Sequence, residues 1–444
     1  MKTIAEKIAD LVQKQGGRVF YVGGYVRDRV LGLENKDIDI EVHGIAPAQL
    51  LEILKQIGHP RAFGESFGVY ALDGCGLDVA MPRREYATGR GHKDFAVSVD
   101  PWIGPAEAAR RRDFTVNALM EDVLTGEVLD PFGGMKDLKA GCLRHIDAVR
   151  FAEDPLRVFR AAQFAARFGF KTAEDTAALC RRIDVTALSK ERVEGELQKA
   201  LVKGRTPSVF FETLRKMGQL HDWFPEIEQL IGIEQDPKFH PEGDVWTHTM
   251  EVLDRAAEFR DRVRDPYAFM LLALTHDYGK IDATEISGGR IHAYGHETRG
   301  LPRIEAFLER IAGKKSVRNY VRNMVPLHMK PNVIAYHKSA VKITNKMFDD
   351  AVAPEDLIYF SMADRPVYSG ADPFSGDHAF LFERLELYRE MMERPYVTGK
   401  DLTAAGLEPG AGFGELLEFA HKLRLAGIEK ESALKQTLAY GRRK

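Results

Sequence analysis

The stretch YVGGYVRDRVLGLENKDIDIEV, residues 21–42, joins a Gly-Gly turn and an Arg-Asp pair to a run with two aspartates. Asp37 and Asp39 stand at i and i+2, so on a strand both side chains point to the same face. Carboxylates are poor strand formers, and two like charges side by side repel each other. The pattern therefore predicts a positive partner between them, and a hard cation such as Mg²⁺, which prefers oxygen ligands, fits.

The sequence on either side of this stretch predicts a mixed α/β fold for residues 18–150. Strands are predicted at RVFYVGG, DIDIEV, GVYAL, LDVAM and FAVSVD, with helical runs before and between them. From residue 151 onward the pattern is helical. Pro/Gly-rich punctuation near residues 232–244 and 393–402 predicts two further boundaries. We therefore expect four parts, at residues 1–150, 151–230, 231–392 and 393–444.

Composition excludes several classes of protein. With 444 residues the chain is too long for one ordinary core. It contains no run of 18 apolar residues, and its N-terminal MKTIAEKIADLVQKQGG predicts an amphipathic helix without an apolar signal core. Cys75, Cys142 and Cys180 are far apart, which favours a reducing cytoplasm and no disulfide framework. The net charge of −3 argues against a protein that coats nucleic acid indiscriminately.

The opening stretch also has the parts of a triphosphate site. Gly23 and Gly24 allow the backbone to approach a phosphate closely, and Arg27 follows within the next helix. Asp78 in GLDVAM is the best-placed third acid on a neighbouring strand. Two metal ions about 3.5–4 Å apart can clamp an in-line phosphoryl displacement. A solvated edge strand is the alternative explanation for the Asp-x-Asp pair alone.

Five motifs in order then carry a family resemblance. They are GGYVRD…DIDI, RRDFTVNAL at 111–119, DPFGGMKDL at 130–138, EDPLRVFRAAQFAARFGF at 153–170 and ERVEGELQKAL at 191–201. Together they resemble the motifs of class II tRNA nucleotidyltransferases and bacterial poly(A) polymerases, which belong to the polymerase β-like nucleotidyltransferases. The resemblance implies a polymerase β-like head, transfer of a nucleoside monophosphate from CTP or ATP to an RNA 3′-hydroxyl, and Asp37 and Asp39 as Mg²⁺ ligands.

The motif EDPLR, residues 153–157, contains the candidates for base selection. Asp154 and Arg157 stand at i and i+3 and share a helix face. A carboxylate accepts hydrogen bonds and a guanidinium donates them, which matches the Watson–Crick edges of cytosine and adenine but not of guanine and uracil. The resemblance gives the matching positions this templating role. The alternative is a helix start with Asp154 as N-cap and Pro155 at N1.

Further residues become candidates for contacts with ribose, phosphate and base. Arg111, Arg112, Asp113 and Asn117 lie in RRDFTVNAL, and Arg160 lies one turn beyond Arg157. Asp113 could instead cap a helix, and Arg160 could simply lie on a helix surface. Residues 83–100 are Gly-rich and turn-prone, and the resemblance implies a loop there that acts in the switch from C to A addition.

The helical half contains a second set of candidate ligands. They are His248, His276, Asp277 and Asp364, with Lys280, His292 and His296 as further candidates. A histidine, a His-Asp doublet after the apolar LLALT and a late aspartate resemble the HD superfamily of metal-dependent phosphohydrolases. Imidazole and carboxylate ligands suit a divalent transition ion such as Mn, Ni, Co or Fe. Any single histidine here is more often structural.

These observations predict an enzyme that adds CCA to the 3′ end of tRNA from CTP and ATP, with a phosphohydrolase domain attached. The tail from residue 393 resembles an RNA-binding segment and ends in a basic cluster. We expect tRNA, CTP and ATP as partners, no membrane, and a monomer or homodimer. The alternatives are a poly(A) polymerase, an enzyme that adds only CC or only A, and a nucleotide phosphohydrolase with a vestigial head.

Overall fold

The computed structural model describes residues 3–35, 37–62, 68–72, 76–87, 95–365, 376–410 and 412–442. The chain forms two compact units, residues 1–200 with 209–219 and residues 201–208 with 220–444. Cys75, residues 88–94 of the predicted loop, and the last two residues of the basic tail lie outside the described residues. No described helix is both long and apolar enough to cross a membrane.

The first part of the chain contains most of the strands. Its strands are β1 Arg18–Val22, β2 Ile38–His43, β3 Pro60–Ala62, β4 Val69–Leu72, β5 Leu77–Ala80, β6 Arg83–Ala87, β7 Phe95–Val99, β8 Met120–Asp122, β9 Val128–Leu129, β10 Cys142–Leu143 and β11 Lys171–Thr172. Its helices are α1 Ile4–Gln13, α2 Gly24–Val30, α3 Pro47–Ile57, α4 Pro105–Arg110, α5 Gly134–Ala140, α6 Ala148–Ala152, α7 Leu156–Phe168, α8 Glu174–Cys180, α9 Lys190–Lys203 and α10 Ser208–Lys216.

A mixed sheet of seven strands, in the order β3-β4-β5-β2-β1-β8-β9, organises the head. Among the neighbouring strands of this sheet in the described residues, only β2 and β5 pair in parallel, and their register sets Asp39 opposite Asp78. On the adjoining β1, Phe20 and Val22 are buried with Ala118 and Met120, because alternate residues of a strand share a face. This sheet places the acidic residues of two neighbouring strands side by side.

The five strands predicted from the sequence are confirmed as β1, β2, β4, β5 and β7. The predicted N-terminal amphipathic helix is α1, which begins with a capping box formed by Thr3 and Glu6. Strand β8 was not predicted, because its buried residues Met120, Glu121 and Asp122 show no alternation of apolar and polar side chains.

The rest of the chain is helical, as predicted, apart from one short hairpin. Its elements are α11 Pro225–Glu228, α12 Val245–Ala256, α13 Pro266–Thr275, α14 Lys280–Ala283, β12 Glu285–Ser287, β13 Arg290–His292, α15 His296–Arg299, α16 Leu301–Ile311, α17 Lys315–Met324, α18 Lys330–Tyr336, α19 Val341–Asp350, α20 Pro354–Asp364, α21 Asp377–Glu393, α22 Gly399–Ala404, α23 Phe413–Leu425 and α24 Lys430–Gly441.

Helix α13 lies in the core of this helical part, and every residue from Tyr267 to Thr275 is buried. A helix that is apolar all round is a core helix. It begins where the Asp265 side chain accepts hydrogen bonds from the amides of Tyr267 and Ala268, with Pro266 at its first position. It ends at Thr275 with His276 as its C-cap, so the His-Asp doublet that follows lies in the protein interior.

Candidate functional site

The first candidate site lies on the parallel strands β2 and β5. Asp39 is partly buried and faces Asp78 in register, and Asp37 is exposed just before β2. Burial and the negative charges of Asp78 and Asp37 raise the pKa of Asp39, while Arg112 opposes the shift. Excess negative charge around oxygen donors is the environment that a hard divalent cation relieves, so these residues fit Mg²⁺.

The Gly-Gly turn lies over this acidic edge. Gly23 has a φ of +67°, a conformation that favours glycine, and it is the residue before the first turn of α2. A Cβ atom added there would lie 3.9 Å from Oδ2 of Asp39. The turn therefore keeps the backbone of Gly23 close to the carboxylate, and Gly24 next to it faces Arg27 and Asn35.

Arg27 is placed inside the protein rather than at its surface. Its Nε donates to Oδ1 of Asp28 and its Nη1 donates to Oδ1 of Asn117, both at 2.7 Å. Its guanidinium also lies over the rings of Phe164 and Phe168, at 5.0 and 4.6 Å from the ring centroids. Burial lowers the pKa of Arg27 and the charge of Asp28 opposes this shift. The observed contacts make Arg27 a fixed support of the site wall.

Asp113 connects the RRD motif to α7. Its carboxylate accepts hydrogen bonds from Nδ2 of Asn117, Nε of Arg160 and the amide of Phe114, at 2.7–2.8 Å. Burial favours the neutral acid, but the charge of Arg160 and the bond from Asn117 lower the pKa of Asp113. Asp113 therefore holds Arg160 in an ion pair, and a contact of Arg160 with a phosphate stays a prediction.

Glu41 is a functional candidate that the sequence reasoning missed. It is 1% exposed on β2 and accepts hydrogen bonds from His43 at 2.9 Å and from Nη2 of Arg111 at 3.3 Å, with Nη2 of Arg112 at 3.6 Å. Burial favours its neutral form, but the hydrogen bond from His43 and the charge of Arg112 lower the pKa of Glu41 to about 2. The available signal was its spacing, because Asp37, Asp39 and Glu41 follow the strand period of two.

The two base-selecting candidates do not pair with each other. Arg157 donates to the carbonyl oxygens of Arg150 and Arg111, at 2.6 and 2.8 Å. Asp154 accepts two hydrogen bonds from Nη2 of Arg192, at 2.9 and 3.0 Å. Helix α7 has Pro155 rather than Asp154 as its cap residue, although Asp154 also accepts the amide of Leu156. The pair is thus held apart by other partners.

In the helical half, three predicted ligands converge. The Nε2 atom of His248 lies 3.2 Å from Oδ1 of Asp364 and 3.4 Å from Nε2 of His276. Oδ2 of Asp277 lies 3.2 Å from Nε2 of His276 and 3.6 Å from Nε2 of His248. His248, His276 and Asp364 come from α12, the C-cap of α13 and the end of α20, and these three form one possible cation site, with Asp277 beside it.

A second ligand group contains Asp277, which also lies next to the histidines of the first group. Its Oδ1 lies 3.2 Å from Nε2 of His296, which in turn lies 3.3 Å from Nε2 of His328. Asp277, His296 and His328 are all buried and also form a possible cation site. Neither carboxylate oxygen of Asp277 makes a hydrogen bond of acceptable geometry, although both are buried. A buried carboxylate between two imidazole groups without such bonds fits a bridging metal ligand.

The other ring nitrogen of each histidine is occupied. Nδ1 of His276, His296 and His328 lies 2.7–2.9 Å from a backbone carbonyl oxygen, to which it can only donate. Nδ1 of His248 lies 2.7 Å from Oε1 of Glu242. This fixes the rings so that all four Nε2 atoms point inward, which is the usual outer support of a metal-binding imidazole.

A contact between two glycines brings the second ligand group close to the doublet. A Cβ atom on Gly279 would lie 1.9 Å from the carbonyl oxygen of His296, and one on Gly300 would lie 2.6 Å from the amide nitrogen of Gly279. Only glycine permits this approach of two backbones. The Gly that follows the doublet in HDYGK thus allows α15 to present His296.

The remaining candidates surround these groups. Nζ of Lys280 lies 2.8 Å from Oδ2 of Asp277 and donates to Oε1 of Gln235 at 2.6 Å. His292 lies on β13, stacks against Tyr294, and is in neither of these ligand groups. His328 and Glu242 were missed from the sequence, since neither belongs to a recognisable spacing. His240 contacts Glu242 at 3.0 Å and was missed for the same reason.

The charges within the cluster affect one another. Burial opposes the charge of His248, but hydrogen bonds with Asp364 and Glu242 raise its pKa to about 9. Burial lowers the pKa of His328 to about 4. Burial favours the neutral acid at Asp277, yet His276 and Lys280 lower its pKa. The cluster therefore combines an ionised bridging carboxylate with buried imidazoles.

Comparison with known proteins gives a family match for the head and relatives that match most of the chain. Residues 19–144 match the family model described as the poly A polymerase head domain. The chain is 34% identical over 425 residues to the multifunctional CCA protein of Thioalkalivibrio sulfidiphilus, covering 94% of this chain and 99% of the relative. It is 42% identical over 303 residues to the multifunctional CCA protein of Nitrosococcus oceani, covering 67% of this chain and 71% of the relative.

Solved structures share the fold. The Bacillus stearothermophilus CCA-adding enzyme in complex with CTP matches with a TM-score of 0.69 and 21% identity, covering 100% of this chain and 99% of that chain. The Thermotoga maritima CCA-adding enzyme complexed with tRNA matches with a TM-score of 0.64 and 20% identity, covering 98% of this chain and 93% of that chain. At these identities the likeness concerns the fold.

Proposed function

Because the chain belongs to the family of multifunctional CCA proteins, we propose that it adds C, C and A to the 3′ end of tRNA from CTP and ATP. The observation that carries this proposal is the parallel pair of β2 and β5, which sets Asp39 opposite Asp78 under the Gly-Gly turn. This arrangement offers oxygen ligands to Mg²⁺ beside a backbone able to receive a triphosphate.

The chain's own residues then have distinct tasks. Asp37, Asp39 and Asp78 would hold Mg²⁺, which supplies charge neutralisation for an in-line phosphoryl transfer. The backbone of Gly23 and Gly24 receives phosphate oxygens. The positive charges of Arg111 and Arg112 balance the negative charge of the triphosphate, since guanidinium groups bind phosphate through directed pairs of N–H donors.

Base choice is proposed for Asp154 and Arg157. Their present partners, Arg192 and two backbone carbonyls, keep the carboxylate and the guanidinium apart and oriented. The Watson–Crick edge of cytosine or adenine would replace those contacts, because it can donate a hydrogen bond to Asp154 and accept one from Arg157. A guanine or uracil edge would leave buried polar groups unpaired, which discriminates strongly.

The test uses tRNA transcripts that lack the last one, two or three nucleotides, with CTP and ATP supplied separately and together. We expect CTP addition to the two shorter transcripts, ATP addition to the longest, and termination after A. Addition of a long A tract would identify a poly(A) polymerase. Use of only CTP or only ATP would identify an enzyme that makes part of the CCA end.

A second activity is favoured by the position of Asp277, whose carboxylate lies next to histidines of both ligand groups. We propose that His248, His276 and Asp364 would hold one divalent transition ion and that Asp277, His296 and His328 would hold another, with Asp277 next to both groups. Two such ions supply Lewis acidity toward a phosphate ester and a nucleophile from water. Lys280, at 2.8 Å from Asp277, would neutralise the charge of the phosphate.

Metal analysis and hydrolysis test this second activity. Purified protein loaded with Mn²⁺, Ni²⁺ or Co²⁺ should retain about two ions per chain after desalting. It should then hydrolyse phosphate esters such as 2′,3′-cyclic nucleotides. Retention of no transition ion would mean that the cluster is a scaffold. The four-part division of the chain, the cytoplasmic location and the monomer or homodimer remain predictions.

A further inference from the structure

The buried acid Glu41 lies between the proposed Mg²⁺ ligands and two arginines of the RRD motif. It follows Asp39 by two residues on β2, so both side chains lie on the same face of the strand. Nη2 of Arg111 and Nη2 of Arg112 lie 3.3 and 3.6 Å from the same oxygen, Oε2. His43 donates to the other oxygen at 2.9 Å. Both oxygens of Glu41 are therefore engaged by positive or donating groups.

The two arginines need this acid because they stand next to each other in the chain. Their side chains are 21% and 12% exposed, so water screens their mutual repulsion only in part. Glu41 is 1% exposed and opposes both charges. The other acids whose charges act on Arg112 are Asp113, which is already paired with Arg160, and Asp39.

We propose that Glu41 is a positioning residue that keeps Arg111 and Arg112 off the carboxylates that bind Mg²⁺. Without its charge, the guanidinium groups move toward Asp39 and compete with the cation for the same oxygens. The expected effect is a higher requirement for Mg²⁺ rather than a slower reaction at saturating Mg²⁺. The inference rests on the proposed nucleotidyltransferase function, and it assigns a role to a residue outside the metal-ligand set.

The test is the isosteric variant Glu41→Gln, assayed by CTP addition to a tRNA transcript over a range of Mg²⁺ concentrations. We expect the Mg²⁺ concentration for half-maximal rate to rise about five- to tenfold, because one opposing charge is lost in a partly buried site. The rate at saturating Mg²⁺ should stay within about threefold of wild type. An unchanged Mg²⁺ requirement in a folded variant would overturn the proposal.

The matched control is Glu121→Gln on β8. Glu121 is also a buried acid of the same sheet that pairs with an arginine, since Nη1 of Arg29 lies 2.6 Å from its Oε1. Glu121→Gln should lower the melting temperature and leave the Mg²⁺ requirement unchanged. A purely structural role of Glu41 would make both variants behave alike and would also overturn the proposal.

Direct binding provides a readout that does not depend on turnover. Mn²⁺ is titrated and followed by its electron paramagnetic resonance signal in the Asp277→Ala background, and the Mn²⁺ bound by Asp39→Ala in the same background is subtracted, so that the difference reports the head. Glu41→Gln should weaken Mn²⁺ binding several-fold, and unchanged binding would overturn the proposal. If Glu41→Gln does not fold, Glu41→Asp, which shortens the side chain, is measured with the same expected direction. A wild-type protein that binds Mn²⁺ in the head but adds no nucleotide would refute the proposed function and leave this metal-binding test decisive.

Discussion

The acidic edge of the head and the ligand cluster of the helical half assemble in opposite ways. In the head, Asp39 and Glu41 come from one strand, the pleat alone puts them on one face, and Asp37 directly precedes that strand. In the helical half, the ligands from His248 to Asp364 span 116 positions of the chain and meet only through the packing of several helices. A local site is thus specified by spacing, whereas a dispersed site is specified by the fold.

The two regions also control charge differently. The head leaves Asp37 and Asp78 exposed and balances its acids with arginines. The helical cluster is buried, and it orients its imidazoles mainly with backbone carbonyls, which carry no net charge. Substitution of an acid in the head should therefore stop nucleotide addition, whereas substitution around the helical cluster should first disturb the positions of its ligands.

The largest effect is expected for Asp39→Ala. Loss of an acid that holds Mg²⁺ should lower CTP and ATP addition by at least about 10³-fold, since such an ion contributes several kcal/mol to the transition state. Addition is measured with tRNA transcripts, and circular dichroism checks the fold. Substantial Mg²⁺-dependent addition by folded Asp39→Ala would remove the head site from this comparison.

Asp277→Ala should abolish metal-stimulated hydrolysis of phosphate esters, because Asp277 is a ligand in the buried cluster. It should leave CCA addition within about a few-fold of wild type. Metal content distinguishes one ion from two. Asp277→Ala should lose both ions, and His328→Gln should lose about one of the two. Equal metal content in His328→Gln and wild type would show that a single ion is bound.

The contact between the two glycines tests how rigid the dispersed site is. Gly279→Ala should destabilise the protein by about 1–3 kcal/mol and weaken metal retention, because its Cβ would overlap the carbonyl oxygen of His296. The control Gly195→Ala lies in α9, where nothing is within 4 Å, and it should be neutral or slightly stabilising. Urea unfolding and metal analysis measure both.

Base choice should respond more moderately. Asp154→Ala and Arg157→Ala should each lower the preference for C and A over U and G by about 10- to 100-fold, the cost of about one or two lost polar contacts. The control Arg192→Gln removes the partner of Asp154 but neither templating group, and its effect should be smaller. Competition between the four nucleoside triphosphates measures this, and unchanged base choice in both alanine variants would reduce the pair to a structural role.

The smallest effect concerns the helix starts in the helical half. Asp244 caps α12, which carries His248, by accepting the amide of Thr247, and Asp265 caps α13 in the same way. Asp244→Ala and Asp265→Ala should each cost about 1 kcal/mol of unfolding free energy. Metal content should be retained in both, and its loss in either one would mean that the ligand geometry is more fragile than the buried packing suggests.

Sequence reasoning reached the local features better than the dispersed ones. The i, i+2 spacing of Asp37 and Asp39 identified Asp39, because alternate residues of a strand lie on the same face. Asp78 was identified as the one Asp in the predicted strand GLDVAM. Glu41 followed the same period and was overlooked because it belongs to no motif. The mutual position of Asp154 and Arg157 on a helix was readable, but their partners were not.

His328 and Glu242 show the limit in the helical half. Each stands alone in the sequence, and each reaches the cluster only because α12, α13 and their neighbours pack around a common core. The His-Asp doublet was found because the apolar LLALT before it predicts a buried helix. The ligand that completes the second group carries no comparable signal, so only the tertiary structure reveals that Asp277 has histidines on both sides.

The aromatic rings around Arg27 determine which recombinant fragments of this protein can keep the nucleotide site intact. Phe164 and Phe168 of α7 cover the guanidinium, and Arg160 on the same helix engages Asp113. A recombinant fragment that stopped near residue 150 would lose all three side chains and leave the wall of the nucleotide site open to solvent. A minimal catalytic fragment must therefore include α7.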